Sequence, residues 1–319
     1  MNHVLVINGL DGPLARILGC DCARCTNGTR QAHTSASLIS LNDQGEATHH
    51  VLFDIGLGVS DSLMSIPYLQ GSRARLDWLC LSHWHPDHTA GMNQLIVSRH
   101  ANNKRNKLNL PPLPIWCRPG TAEWVQQHHD FEFGLCELHT TGNNEPPGIL
   151  LPPLPISLPD VTITPVTVAH LNADKGVDGR RPRYACAAFV IETAAKKAIL
   201  LWDLDSSNEW LVNPQTPEQE TAVAYLSHAD YLFADTAFWQ AKPNKTTSHP
   251  SFTNVQRYAR RLQPRQTFLV HLSGHPDGRG NAGWGWGNGR WQAEARRVWQ
   301  DEQLPGQVHV PAIGDCFTL

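Results

Sequence analysis

Within the stretch LCLSHWHPDHTAGMNQL, residues 79–95, His83, His85, Asp87 and His88 stand inside six positions. Imidazole nitrogen suits zinc, iron and manganese, and a carboxylate adds a hard oxygen donor beside it. Histidines two apart at a strand's end turn toward a common point as the chain leaves the sheet. Asp87 and His88 then reach the same cavity from the first turn of the next helix, so two cations are served separately. Given the chain's own His and Asp usage, a chance H-x-H-x-D-H has odds of about one in several hundred. Single histidines carry little weight in a chain with 17 of them, and the pairs His49-His50 and His128-His129 suggest no chemistry. Clusters count. Three later apolar runs also close on donors: His170 ends TPVTVAH, Asp203 ends KAILLWD, and His271 sits in TFLVH. Together these make seven donors. Two metals about 3.5–4 Å apart, bridged by a carboxylate and a hydroxide, need about that many.

A second cluster is GCDCARC, where Cys20, Cys22 and Cys25 share a tight loop and their thiolates can face one ion. The other cysteines, Cys80, Cys117, Cys136, Cys186 and Cys316, are scattered, mostly in apolar surroundings. That distribution points to a metal site plus buried thiols rather than to disulfides.

The motif HWHPDHTAG followed by separate His, Asp and His at strand ends resembles the metallo-β-lactamase superfamily, over nearly the whole chain. The resemblance implies an α/β fold, a four-layer αββα sandwich with a dinuclear metal site on one edge. It assigns His83, His85 and His170 to one metal and Asp87, His88 and His271 to the other. Asp203 bridges, with Asp205 of WDLD as the fallback. Asp54 of LFDIG supports the metal loop from behind.

The cysteine loop narrows the resemblance to the cyclic phosphodiesterase branch of bacterial phosphonate breakdown, and more distantly to the B protein of pyrroloquinoline quinone biosynthesis. It implies a structural zinc on Cys20, Cys22, Cys25 and His275, the last supplied by HLSGH four residues after His271. His249 in TTSHPSF takes the position of a general acid that protonates the leaving alkoxide. The implied activity is that of a metal-dependent hydrolase. A phosphodiester is attacked by a metal-bridging hydroxide that Asp87 orients, on two divalent metals, zinc, manganese or iron.

The elements that must position these groups are short. HVLVING, TSASLISLND, THHVLFDIG and LDWLCLS read as strands, and Thr89 to about His100 as a helix starting just past the histidine cluster. VTITPVTVAH, RYACAAFVIET, KKAILLWDLD, DYLFADTAF and QTFLVHLS follow as strands, with helical patterns at 217–227 and 253–263. Between the halves, residues 101–160 are proline-rich; their spacing predicts loops and edge strands elaborating one domain that spans residues 1–319. The loop 172–183 brings Arg180, Arg181 and Arg183 to the pocket's border, where solvated loop charges are the plainer reading. GWGWGNGRW, 283–291, is a local Gly/Trp patch.

A net charge of −3 gives no basic face of the kind that grips nucleic acid. Without a charged leader or a long apolar run, the reading is a soluble, cytoplasmic protein acting on a small molecule, with no membrane partner. The sequence leaves a homo-oligomer open. Two rival functions share these residues. One keeps the site for lactone or thioester hydrolysis, or for metal-dependent oxidation; the other is a non-catalytic, metal-stabilised binding protein that recognises its partner through the Trp patch.

Overall fold

The computed structural model describes the chain apart from residues 1, 27, 29–30, 72–73, 142–144, 175–183, 241–246 and 276–277. Arg180, Arg181 and Arg183 lie outside the described residues. Two sheets carry the fold. The first is ordered β13-β1-β2-β3-β4-β5-β6, from Cys316–Thr318, Asn2–Gly9, Ser35–Leu41, Ala47–Phe53, Trp78–Cys80, Leu113–Cys117 and Cys136–Thr140. The second is ordered β12-β11-β10-β9-β8-β7, from Gln307–His309, Gln266–Val270, Tyr231–Asp235, Lys197–Leu201, Cys186–Thr193 and Val161–Val168.

Each sheet is antiparallel on one side and parallel on the other. In the first, β1, β2 and β3 pair antiparallel, and β3 through β6 run parallel. In the second, β7, β8 and β9 are antiparallel, and β9 through β12 parallel. Parallel strands all finish on one edge, and that edge is where an open α/β sheet presents its functional groups.

Side-chain alternation along the strands builds the layers. In β1, Leu5 and Ile7 face the core shared by the two sheets, while Val4 and Val6 face the opposite way. Phe53 and Trp116 of the first sheet meet Phe189 of the second at ring-centroid distances of 5.1 and 5.5 Å. Outside the first sheet, Met92, Leu95 and Ile96 of helix Met92–Asn106 pack on Leu52, Leu79 and Leu81. Outside the second, helices Pro217–Leu226, Phe252–Leu262 and Asn288–Asp301 bury Val223, Val255, Ala259, Trp291 and Trp299. The four-layer αββα sandwich is the observed architecture. No helix among the described residues is long and apolar enough to cross a membrane.

Three expectations are corrected. The helix read from Thr89 to about His100 is two helices: a short one, Pro86–Thr89, that carries Asp87 and His88 in its single turn, and a longer one, Met92–Asn106. Pro86 can open a helix at its first position because the missing N–H there has no intrahelical partner to lose. The proline-rich segment holds a central strand, β5, and a ten-residue helix, Pro119–His128, besides the edge strand β6. Pro119 again starts the helix, which is why proline density misled. The Gly/Trp patch is not a recognition surface, because Trp286 and Trp291 are buried against Trp239.

Candidate metal centre

The donors gather where the strands end. Asp54 follows β3, His83 lies just beyond β4, His170 beyond β7, Asp203 beyond β9, and His271 directly after β11. Asp54, Asp203 and His271 turn the chain sharply, with φ of 61°, 55° and 56°. Non-glycine residues pay for that left-handed conformation, and such strain persists only where the surroundings enforce it.

Three overlapping groups of donors form, each with ligand atoms within 4.8 Å of one another: His83, His85 and His170; Asp87, His88, Asp203 and His271; and Asp203, Asp235, His249 and His271. His170 Nε2 lies 3.2 Å from His85 Nδ1. Asp87 Oδ2 lies 3.3 Å from both His88 Nε2 and His271 Nε2. Asp203 stands between the groups, its Oδ1 3.7 Å from His83 Nε2 and 3.3 Å from His271 Nε2, its Oδ2 2.8 Å from His88 Nε2. Asp205 is engaged elsewhere: its oxygens accept from the N–H of Leu171, the N–H of Ser207 and the Ser207 hydroxyl.

Behind the cluster, Asp54 accepts hydrogen bonds from His88 Nδ1 at 2.9 Å, Trp202 Nε1 at 2.8 Å and the Ser82 N–H at 2.7 Å. That contact fixes the His88 tautomer and turns its Nε2 inward, the arrangement by which carboxylates orient metal-binding histidines.

The cluster fits cations. Of twelve buried side-chain atoms without a hydrogen-bond partner among the described residues, seven belong here: His83 Nε2, His88 Nε2, His170 Nδ1, both Asp203 oxygens, Asp235 Oδ1 and His271 Nδ1. Buried polar atoms left unpaired are costly, so such a concentration calls for a ligand. Charge points the same way. Burial opposes a charged ring at His88, yet Asp203, Asp87 and Asp54 carry its pKa well above the usual value. At His271 burial is likewise outweighed, by Asp203, Asp235 and Asp87, and the pKa rises to about 9. His170, where burial dominates, is pushed down to about 3. The carboxylates thus demand positive charge, which divalent ions would supply.

His249 is also brought in. Its Nδ1 lies 2.9 Å from Asp235 Oδ2 and 4.0 Å from Asp203 Oδ1, and its ring stacks on His271 at 4.6 Å. Asp235, the last residue of β10, is a member of the site that the sequence reading missed. The signal was present: LFAD closes an apolar run on an aspartate just as KAILLWD does.

Some distance along the same edge, Cys20, Cys22 and Cys25 place their sulfurs 3.4, 3.3 and 3.3 Å from His275 Nε2. Four ligands about 2.0–2.3 Å from a tetrahedral ion stand roughly 3.3–3.8 Å apart, so the set has the right size for zinc. His275 Nδ1 meets the Leu14 carbonyl at 3.1 Å, leaving Nε2 for the sulfurs. Burial opposes ionisation of Cys22, but the Cys25 N–H, His275 and the neighbouring thiols bring its pKa down to about 6.

A family model described as beta-lactamase superfamily domain matches residues 49–272. The chain belongs to that family. Its fold is similar to the metallo-beta-lactamase fold protein YhfI from Bacillus subtilis, at 16% identity and a TM-score of 0.65, covering 100% of this chain and 99% of that one. It is also similar to a diphosphatase of the PhnP family, at 17% identity and 0.63, covering 100% and 98%. Zn(2+)-bound PqqB from Methylobacterium extorquens matches at 14% and 0.64, covering 99% and 100%. No curated protein matches. At these identities the likeness is one of fold, and it supports the superfamily resemblance read from the HWHPDHTAG motif.

Proposed function

We propose that the protein is a hydrolase of phosphodiesters that works with two divalent metals, as one domain over residues 1–319. The observation that carries this reading is Asp203, set between a three-histidine group and an Asp87–His88–His271 group, with His249 on its flank. His83, His85 and His170 would hold one ion, Asp87, His88 and His271 the second, and Asp203 both. Bound there, zinc, manganese or iron would supply Lewis-acid polarisation of the phosphoryl group and a deprotonated water near neutral pH. Cys20, Cys22, Cys25 and His275 would hold a structural zinc.

The chain's own part is positional. Asp87 Oδ2, between His88 and His271, is placed to orient the attacking water. Asp235 accepts the Nδ1 hydrogen of His249, so that the ring in its doubly protonated form would offer the Nε2 hydrogen to the leaving oxygen. A carboxylate-held histidine is suited to an alkoxide leaving group, which needs a proton as its bond breaks. The likeness to a PhnP-family diphosphatase supports phosphorus rather than carbon as the reacting centre.

The test is hydrolysis of bis-p-nitrophenyl phosphate by the metal-loaded protein. Chelation or His85→Ala should each lower the rate at least a thousandfold; full activity in a metal-free preparation would overturn the reading.

A further inference from the structure

Outside the first sheet, a cavity of about 450 Å³ opens between the segment 63–71 and the helix Met92–Asn106. Small-molecule sites run from roughly 300 to 1,000 Å³. None of the residues of the dinuclear cluster lines it. Its floor is apolar: Leu63, Leu69, Leu76 and Leu95 are buried there, in the core that backs the sheet. Met64 also lines the cavity, with 63% of its surface exposed. A large apolar side chain left in water beside a hollow lined with leucine is surface that gains from being covered.

The polar part of the wall is cationic. Arg75, Arg99 and Arg105 line the cavity and, among the described residues, no acidic one does, in a chain whose net charge is −3. Arg75 is matched by Asp77 in a two-pronged contact of 2.8 and 2.6 Å. The other two arginines are not matched. Arg99 donates from Nε to the Leu76 carbonyl at 2.8 Å and from Nη1 to the Pro111 carbonyl at 3.0 Å. Its guanidinium is therefore fixed by neutral partners, and its Nη2 meets no described residue. Burial pulls its pKa below the usual value despite Asp77, the sign of a charge short of solvation. Leu95, Arg99 and Asn102 follow at spacings of four and three, so they share one face of the helix with Arg105 one turn further on. Arg105 is exposed and pairs with no described carboxylate.

We infer that this cavity binds an amphiphilic anion, an aliphatic chain ending in a carboxylate or a phosphate. The chain lies on Leu63, Leu69 and Leu95, and the head meets Arg99 and Arg105, whose planar forks suit either oxyanion. Covering the leucines supplies affinity for any apolar tail; the two unmatched charges select an anion over a neutral molecule. The inference is independent of the phosphodiesterase reading, because the cavity and the cluster share no residue.

The test is calorimetric titration of the metal-loaded protein with decanoate and with decyl phosphate, below their micellar concentrations. Decanol, with the same kind of tail and no charge, and inorganic phosphate, with no tail, are the controls. At least one amphiphile should bind about tenfold or more tightly than either control, and the tighter of the two identifies the head group. Arg99→Gln and Arg105→Glu should each weaken that binding by about fivefold or more, and Met64→Glu should do the same by setting a like charge beside the head. Arg105 and Met64 are exposed, so their variants keep the fold and the test stands even if Arg99→Gln, which frees two backbone carbonyls, lowers the thermal midpoint. Binding within twofold of the native protein in both Arg105→Glu and Met64→Glu overturns the site, and competition with bis-p-nitrophenyl phosphate would then place the anion on the catalytic metals. Decanol bound as tightly as the amphiphiles overturns the role of the arginines. No binding of either amphiphile by the native protein overturns the inference outright.

Discussion

At the scale of residues, surroundings rather than type separate histidines that serve the site from those that serve the frame. His50 is buried between the Arg75 carbonyl, 2.8 Å from its Nδ1, and Ser37 Oγ, 2.9 Å from its Nε2. Burial lowers its pKa to about 4. A folded-state pKa below the unfolded value of about 6.5 means that the native state excludes a proton the unfolded chain accepts. The associated stability is complete above about pH 6.5 and is lost as pH falls through about 4. His50 alone should thus remove roughly 2 kcal/mol between pH 7.5 and 5. Urea titrations of the native protein and of His50→Gln at the two pH values check this: the variant should lose less on acidification, and equal losses would refute it. Of the seven donors, His83, His170, Asp203 and His271 were legible because each follows an apolar run, and His85, Asp87 and His88 because of their spacing in the H-x-H-x-D-H motif. Asp235 closes an apolar run in the same way and was passed over, since an aspartate at a strand end is by itself an ordinary residue. Its meaning comes from the contact with His249, which only the fold supplies.

At the scale of elements, strands were easier to read than what joins them. Short apolar runs rich in strong β-formers mark β1 to β4 and β7 to β11 in the sequence, and these strands are buried along most of their length. Strand β5 and helix Pro119–His128 were hidden because proline reads as a breaker wherever its position within an element is unknown. The short helix Pro86–Thr89 was hidden because one turn has too few residues to show a period. What fixes that turn is close backbone approach. Gly56, just after β3, leaves no room for a side chain against the Asp87 carbonyl. Gly56→Ala must therefore push the Asp87–His88 turn outward, and should cost more than about 2 kcal/mol, by analogy with overpacking at well-packed sites. It should also lower metal content. Gly289→Ala, at a helical position with open space around it, is the control and should be neutral or slightly stabilising. Equal stability and metal content in the two variants would show that the turn adapts.

At the scale of the molecule, the C-terminal end of β11 joins both candidate metal sites. His271 belongs to the dinuclear group and His275 to the cysteine group. Cys20, Cys22 and Cys25 reach it from the other end of the chain, and Arg24 between them is buried against Asp11, the Trp286 carbonyl and Asn288. The cysteine loop thus clamps the start of the chain to the segment after β11 and to the helix Asn288–Asp301. That helix was not legible, because its glycines and tryptophans read as a surface patch until Trp286 and Trp291 are seen packed in the core. The clamp separates the two sites in experiment. Elemental analysis of the purified protein should find close to three metals per chain. Cys22→Ser should lose one equivalent, since a serine oxygen is a poor replacement for a thiolate on zinc, while the remaining two stay with the His/Asp groups. An ion present at a thousand times its dissociation constant stabilises by about 4 kcal/mol. For a chain of this size that predicts a thermal midpoint lower by several degrees in Cys22→Ser. Chelation of the native protein should lower it further, because all three ions leave together. A Cys22→Ser protein with unchanged metal content and midpoint would remove the ion from the cysteine site, and one metal or none in the native protein would remove the dinuclear centre with it.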